Sequence, residues 1–224
     1  MSKGTILFAL TSHDELGDTG RRTGAYAPEF AHPAAVFQDA GYEVAFVSVQ
    51  GGPVPLDGIK EGDTVTAGFL AQDWVQRELA DTSTAGELDP ADYAAIYYAG
   101  GHGTMWDFPD DADLAALAAG IYEQGGVVAA VCHGPAGLVN LTLSDGSLLI
   151  EGKRVSSFTD AEEAAVGLTD VVPFLLQSAL EERGAKHEGA ENFAEFAISD
   201  QRLVTGQNPA SAATVARLTV EALS

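Results

Sequence analysis

Cysteine is nearly missing from this sequence: one residue, Cys132, in 224. A lone thiol closes no internal disulfide and cannot build a cysteine-based zinc site, which removes the main support for a secreted disulfide scaffold. Cys132 is therefore either buried filler or chemistry. Basic residues are scarce too, with 11 Lys and Arg against 33 Asp and Glu, for a formal charge of −22 at pH 7. A surface of that sign repels nucleic-acid phosphates and anionic lipid, so it speaks against nucleic-acid and membrane partners and for a small or neutral substrate. The acids are spread along the chain (Asp110-Asp111, Glu162-Glu163, Glu181-Glu182) rather than massed in a tail, as on a solvated surface. No uninterrupted apolar run reaches the roughly eighteen residues of a membrane helix. Met1-Ser2-Lys3-Gly4 passes straight into a strand-like run rather than a signal-peptide hydrophobic region. A cytoplasmic location is the expectation.

What is present is apolar sequence in short bursts: Thr5 to Leu10, Glu43 to Val49, Ala94 to Tyr98 and Val127 to Val131. Continuous apolar runs of this length suit strands buried on both faces of a parallel sheet. Between them lie helical patterns at 28–40, ending at Gly41, at 69–80, and at 110–123, ending near Gly125-Gly126. The alternation predicts an α/β fold, a doubly wound and mostly parallel sheet with helices on both sides. The length suits one domain, residues 1–224, carrying an insertion. Residues 51–92, with Gly51-Gly52-Pro53, Pro55 and one helical stretch, are more than a crossover needs and predict a small cap at the sheet edge. Residues 11–27 read as a long loop after the first strand, at the carboxyl edge where such sheets bind ligands. Arg202 to Thr205 reads as a strand, and Asn208-Pro209 as the cap and first-turn proline of the last helix.

Cys132-His133-Gly134-Pro135-Ala136-Gly137 follows the buried strand directly, with small residues where a helix must begin. This is the pattern of a nucleophile elbow, whose side chain projects above the sheet toward the amides of the next turn. The second glycine-rich turn, Ala99-Gly100-Gly101-His102-Gly103, follows the neighbouring strand and should reach the same edge. The Gly101 and His133 amides are the candidate oxyanion hole. His102 reads as a structural residue of that loop rather than a catalyst.

Gly100-Gly101-His102-Gly103, the Cys132-His133-Gly134 elbow, Phe158-Thr159-Asp160 and Gly206-Gln207-Asn208-Pro209-Ala210-Ser211 together resemble the ThiJ/PfpI superfamily across almost the whole chain. The loop with Pro28-Glu29 and the Thr-Gly-Gln-Asn-Pro-Ala-Ser run resemble its branch of glutathione-independent glyoxalases and heat-inducible holding chaperones. The resemblance implies a flavodoxin-like three-layer sandwich, a homodimer, and a site in which Cys132 works with His133 and Glu29. It also implies an acid that orients the histidine, matched by Glu163 better than by Glu162.

On those roles a thiolate adds to the aldehyde carbon of methylglyoxal or a similar 2-oxoaldehyde, and proton movement between adjacent carbons yields a thioester that hydrolyses to D-lactate. Neither a metal nor another cofactor is needed. Either His133 or Glu29 can carry the proton. Two rival readings use the same residues. A cysteine hydrolase or amidase needs the same elbow, although the His-Pro-Glu run of class I glutamine amidotransferases is replaced here by Asn208-Pro209-Ala210. A holding chaperone or redox stress protein would use an oxidisable Cys132. Among Trp74, Trp106, Phe108 and Tyr26, Trp106 is the aromatic residue expected to contact substrate.

Overall fold

A computed structural model describes residues 2–224. Its core is a six-stranded sheet of β1 (Thr5–Leu10), β2 (Glu43–Ser48), β3 (Tyr93–Tyr98), β4 (Val127–Val131), β5 (Ala197–Asp200) and β6 (Leu203–Gly206), in the spatial order β2-β1-β3-β4-β6-β5. All neighbours run parallel except the β5–β6 pair at one edge. Alternate strand residues face opposite layers. Ile6, Phe8, Tyr97, Ala129 and Val131 pack under α1 (Pro28–Asp39) and the carboxyl-terminal helix (Ala212–Ala222), whereas Leu7, Ile96, Tyr98, Val128 and Ala130 pack on the helix Ala112–Glu123. The mostly parallel, doubly covered sheet is the expected flavodoxin-like sandwich.

Phe8 anchors one layer. Fully buried, it holds Phe37 and Phe46 at centroid distances of 5.9 Å and Tyr97 at 5.0 Å. This aromatic cluster seats α1 on the sheet, and α1 begins with the Pro28-Glu29 pair that the site requires.

Residues 51–92 contain two α-helices, not the single one expected at 69–80. α2 spans Thr64–Leu70 and α3 spans Asp73–Ala80. The Asp63 carboxylate starts the first by accepting from the Thr66 amide at 3.0 Å, a cap satisfying an otherwise unpaired helix-start donor. Gln72, in an extended conformation, breaks the pattern before the second. Phe69 and Trp74 pack on Phe46 of the edge strand, and Leu56–Asp57 pairs in parallel with Ala25–Tyr26 of the long loop after β1. The segment thus clamps that loop against the sheet's carboxyl edge. The last helix also starts later than expected: Asn208 caps a short 3-10 turn, Pro209–Ser211, before Ala212.

Phe8→Ala is expected to cost about 3–5 kcal/mol, because it empties a site that three aromatic rings enclose. The midpoint of denaturant unfolding measures it.

Candidate active site

At the end of β4 the chain turns sharply and Cys132 adopts φ 59°, a left-handed conformation costly for any residue but glycine. Two hydrogen bonds hold it there: the Cys132 amide donates to the Gly206 carbonyl at 3.0 Å, and the Phe158 amide donates to the Cys132 carbonyl at 2.8 Å. Gly134 lies so close to the end of β3 that a Cβ would strike the Tyr98 carbonyl. The sulfur consequently stands above the sheet in a cavity of about 430 Å³, walled by Tyr26, Glu29, Gly101, His102, His133 and Phe158 among others.

His133 Nδ1 lies 3.3 Å from Cys132 Sγ, and its Nε2 lies 2.8 Å from Glu163 Oε2. Burial, reinforced by neighbouring His102, holds the His133 pKa down to about 4 against the pull of Glu163, so the ring is neutral near pH 7. Glu163 is ionised. Burial opposes its charge, but hydrogen bonds from His102 and His133 outweigh that and bring its pKa to about 2. An ionised carboxylate only accepts, so His133 carries its proton on Nε2 and leaves Nδ1 free to accept from the thiol. Glu163 Oε1 takes His102 Nε2 at 3.0 Å, and the two imidazoles lie 4.1 Å apart between centroids.

Glu29 enters from the opposite side. Its Oε2 accepts from the Gly100 amide at 2.9 Å, while Oε1 is buried with no hydrogen-bond partner among the described residues. Burial, only partly offset by the neighbouring Cys132 side chain and the Gly100 amide, pushes its pKa up to about 8. The Cys132 thiol is pushed up as well, by burial first and by Glu29 second, while the His133 amide favours the thiolate. One site therefore holds two carboxyls with opposite fates, Glu29 in the cavity wall and Glu163 behind the imidazoles, a pattern that separates acid–base roles.

The expected oxyanion donors sit on adjacent loops. Neither the Gly101 nor the His133 amide is spent on a backbone carbonyl. Thr104 ties the loops together, its hydroxyl lying 2.9 Å from the Gly101 carbonyl and 3.0 Å from that of His133. Gly101 has φ 110° and rests against the Gly24 carbonyl, where a side chain would not fit.

The structure brings Cys132, His133, Glu29 and Gly101 to this cavity and sets Glu163 directly behind the His133 imidazole. Trp106 is not with them. Its indole stacks on His13 at 5.0 Å and borders a separate hollow with Gly17, Asp170 and Val171, because the helical turn Thr104–Asp107 points it away from Cys132. The expectation that Trp106 contacts substrate is therefore corrected. His102, read as structural, proves to be both a wall of the cavity and the second donor to Glu163. A local signal separates Glu163 from Glu162. Thr159 and Glu162 form a capping box, and Glu162 also accepts from Asn208 Nδ2 at 2.9 Å and the Phe193 amide at 2.7 Å, which leaves Glu163 to the histidines.

Ligand atoms of His102, His133 and Glu163 lie within 4.8 Å of one another. As arranged, both imidazoles direct an N–H at the carboxylate, and a metal ion there would have to displace both protons.

Residues 23–222 match the DJ-1/PfpI family. The chain is 36% identical over 229 residues to Glyoxalase 3 of Candida albicans, with 94% of each chain covered. It is 36% identical over 237 residues to the glutathione-independent glyoxalase HSP31 of Saccharomyces cerevisiae, covering 100% of this chain and 99% of that protein. A crystal structure of glyoxalase III from Candida albicans is similar with a TM-score of 0.89 at 34% identity, over 98% of this chain and 97% of that one.

Glu29 keeps its proton to about pH 8 in the folded chain, whereas an ordinary glutamate ionises near 4.5. Between those values the unfolded chain binds fewer protons than the native one, so this residue costs stability increasingly as pH rises and adds no further cost above about 8. Glu29→Gln, which keeps the acceptor for Gly100, is expected to gain stability over the parent progressively from about pH 4.5 to about pH 8. Denaturant titrations of both proteins across that range test the sign.

Proposed function

The chain belongs to the DJ-1/PfpI family, and from that premise we propose that it is a glutathione-independent glyoxalase converting methylglyoxal and similar 2-oxoaldehydes to 2-hydroxy acids, D-lactate in the first case. The observation that carries the reading is the meeting of two proton-exchanging groups at one buried sulfur, His133 Nδ1 at 3.3 Å and the Glu29 carboxyl, with the ionised Glu163 holding the imidazole from behind.

The steps follow from those positions. Cys132 adds to the aldehyde carbon; the C–S bond forms, and the thiol proton passes by His133 Nδ1 to the former aldehyde oxygen, giving a hemithioacetal. Glu163 holds the ring for that exchange and stabilises it when charged. The Gly101 and His133 amides face the oxygen that gains charge. Glu29, in its ionised form, removes the hydrogen of the first carbon as a proton, and the electron pair passes through an enediol to the ketone. The same carboxyl returns the proton to the second carbon while the hydroxyl proton passes from the first carbon's oxygen to the second's, leaving a thioester beside an alcohol. Water cleaves the thioester and restores the thiol. The first carbon is oxidised and the second reduced, so the reaction is redox-neutral and needs no external oxidant. Glu29 takes the carbon-to-carbon transfer because its pKa of about 8 lies nearer neutral working pH than that of His133 at about 4.

A single domain with a cap at about 51–92 and a cytoplasmic location, both read from the sequence, and a homodimer, implied by the family likeness, belong to the same proposal. Among the described residues no helix is long and apolar enough to cross a membrane. The Cys132–His133–Glu163 relay with two unspent amides also favours acyl transfer as a second reading, which release of ammonia from glutamine or small amides would detect.

Cys132→Ala is expected to abolish multiple-turnover lactate formation from methylglyoxal without glutathione. Glu29→Gln should lower kcat by about a hundredfold to ten-thousandfold. In the parent protein kcat/KM should climb as pH approaches about 8, the range in which Glu29 ionises, and Glu29→Gln should lose that climb. Lactate assayed enzymatically across pH decides each point. Unimpaired turnover by Cys132→Ala would refute the scheme.

A further inference from the structure

The cavity is larger than methylglyoxal needs, and it is charged against the rest of the molecule. About 430 Å³ lies open above Cys132, within the range that accommodates ligands of drug size. The chain holds only 11 Lys and Arg for a net charge of −22, yet Arg21, Arg22 and Lys60 all line this one cavity. Arg22 is paired with Asp14. Among the described residues Arg21 and Lys60 lie within 4.0 Å of no carboxylate, and Lys60 Nζ is 5.8 Å from the ring centroid of Tyr26, which also faces the cavity. Two carboxyls also line the cavity: Asp57 accepts from the Gly58 amide at 2.6 Å, and Glu29 accepts from the Gly100 amide. A further group is unspent: Thr23, beside the two arginines, is buried with its hydroxyl unpartnered among the described residues, and it lines the same cavity. A buried hydroxyl without a partner is costly, so a ligand oxygen there would be stabilised.

We propose that the site takes 2-oxoaldehydes carrying an anionic substituent, with the substrate's far carboxylate held by Arg21, Lys60 and the Thr23 hydroxyl while its aldehyde carbon meets Cys132. This rests on the glyoxalase reading and names its substrate class. The chemistry is unchanged. With 4,5-dioxopentanoate as probe, Cys132 adds to the aldehyde carbon, the proton moves from that carbon to its neighbour, and water releases 2-hydroxypentanedioate, with the distal carboxylate intact. A cationic mouth on an acidic protein also gathers anions that the remaining surface turns away.

The test compares kcat/KM for 4,5-dioxopentanoate with that for methylglyoxal in the parent, in Arg21→Gln/Lys60→Gln and in Thr23→Val. The anionic substrate is expected to be preferred by the parent. Its preference ratio should fall about fivefold to twentyfold in the double variant and fall similarly on raising NaCl from about 20 mM to about 500 mM, because the contacts are exposed charges. Arg21→Lys/Lys60→Arg should restore the preference, which a merely structural role would not require. A ratio that ignores the charges and salt overturns the proposal while leaving the glyoxalase reading standing. If neither compound is turned over, that reading fails, and calorimetric binding of 2-hydroxypentanedioate against lactate decides the cavity's preference. Tighter dicarboxylate binding that weakens in the double variant supports an anion site; equal binding overturns it.

Discussion

The backbone strain at Cys132 is the constraint around which the site is arranged. A left-handed φ of 59° at a non-glycine residue persists only where its surroundings over-determine it. Here β6 grips the amide through Gly206, and the segment leading to the Glu162–Glu163 helix grips the carbonyl through Phe158. Each bond has a second use. The residue that donates to the carbonyl places its ring 4.4 Å from the His133 imidazole, and four residues separate it from the carboxylate that orients that imidazole. The hydrogen bonds that hold the strained turn therefore also set the distance between sulfur, ring and acid.

Burial then divides the labour between two carboxyls of identical chemistry. Glu163 receives two imidazole N–H groups and stays charged, whereas Glu29 receives one backbone amide and faces a sulfur, and so stays protonated into the neutral range. Two environments within one site yield one permanent anion and one exchangeable proton, with no change of residue type.

Much of the fold and part of the site were legible in the sequence, for reasons that differ residue by residue. Strand cores such as Val127–Val131 are apolar on both faces, and the elbow follows one of them, so periodicity and a local motif sufficed. The split of residues 64–80 into two helices turned on Asp63, whose cap is local but whose second partner, His32, lies on another helix at 3.0 Å. Assigning Glu163 over Glu162 agrees with the capping box that occupies Glu162. His102 and Trp106 mark where local pattern stops. They lie four residues apart, but one reaches a carboxylate sixty-one positions later, while the other is turned away by a histidine from the loop after β1. Side-chain direction at the end of a glycine-rich turn is decided by such distant partners, and no local pattern reports them.

The solitary cysteine has a consequence for observing the molecule itself. Its sulfur is buried at the junction of segments drawn from the whole length of the chain, near residues 29, 100, 133, 158 and 206. An alkylating reagent too large for the cavity can reach it only when those segments part, and no other thiol competes for the label. The rate of such labelling under native conditions measures the opening of the entire carboxyl edge, so the protein carries an intrinsic single-site clock for its own breathing.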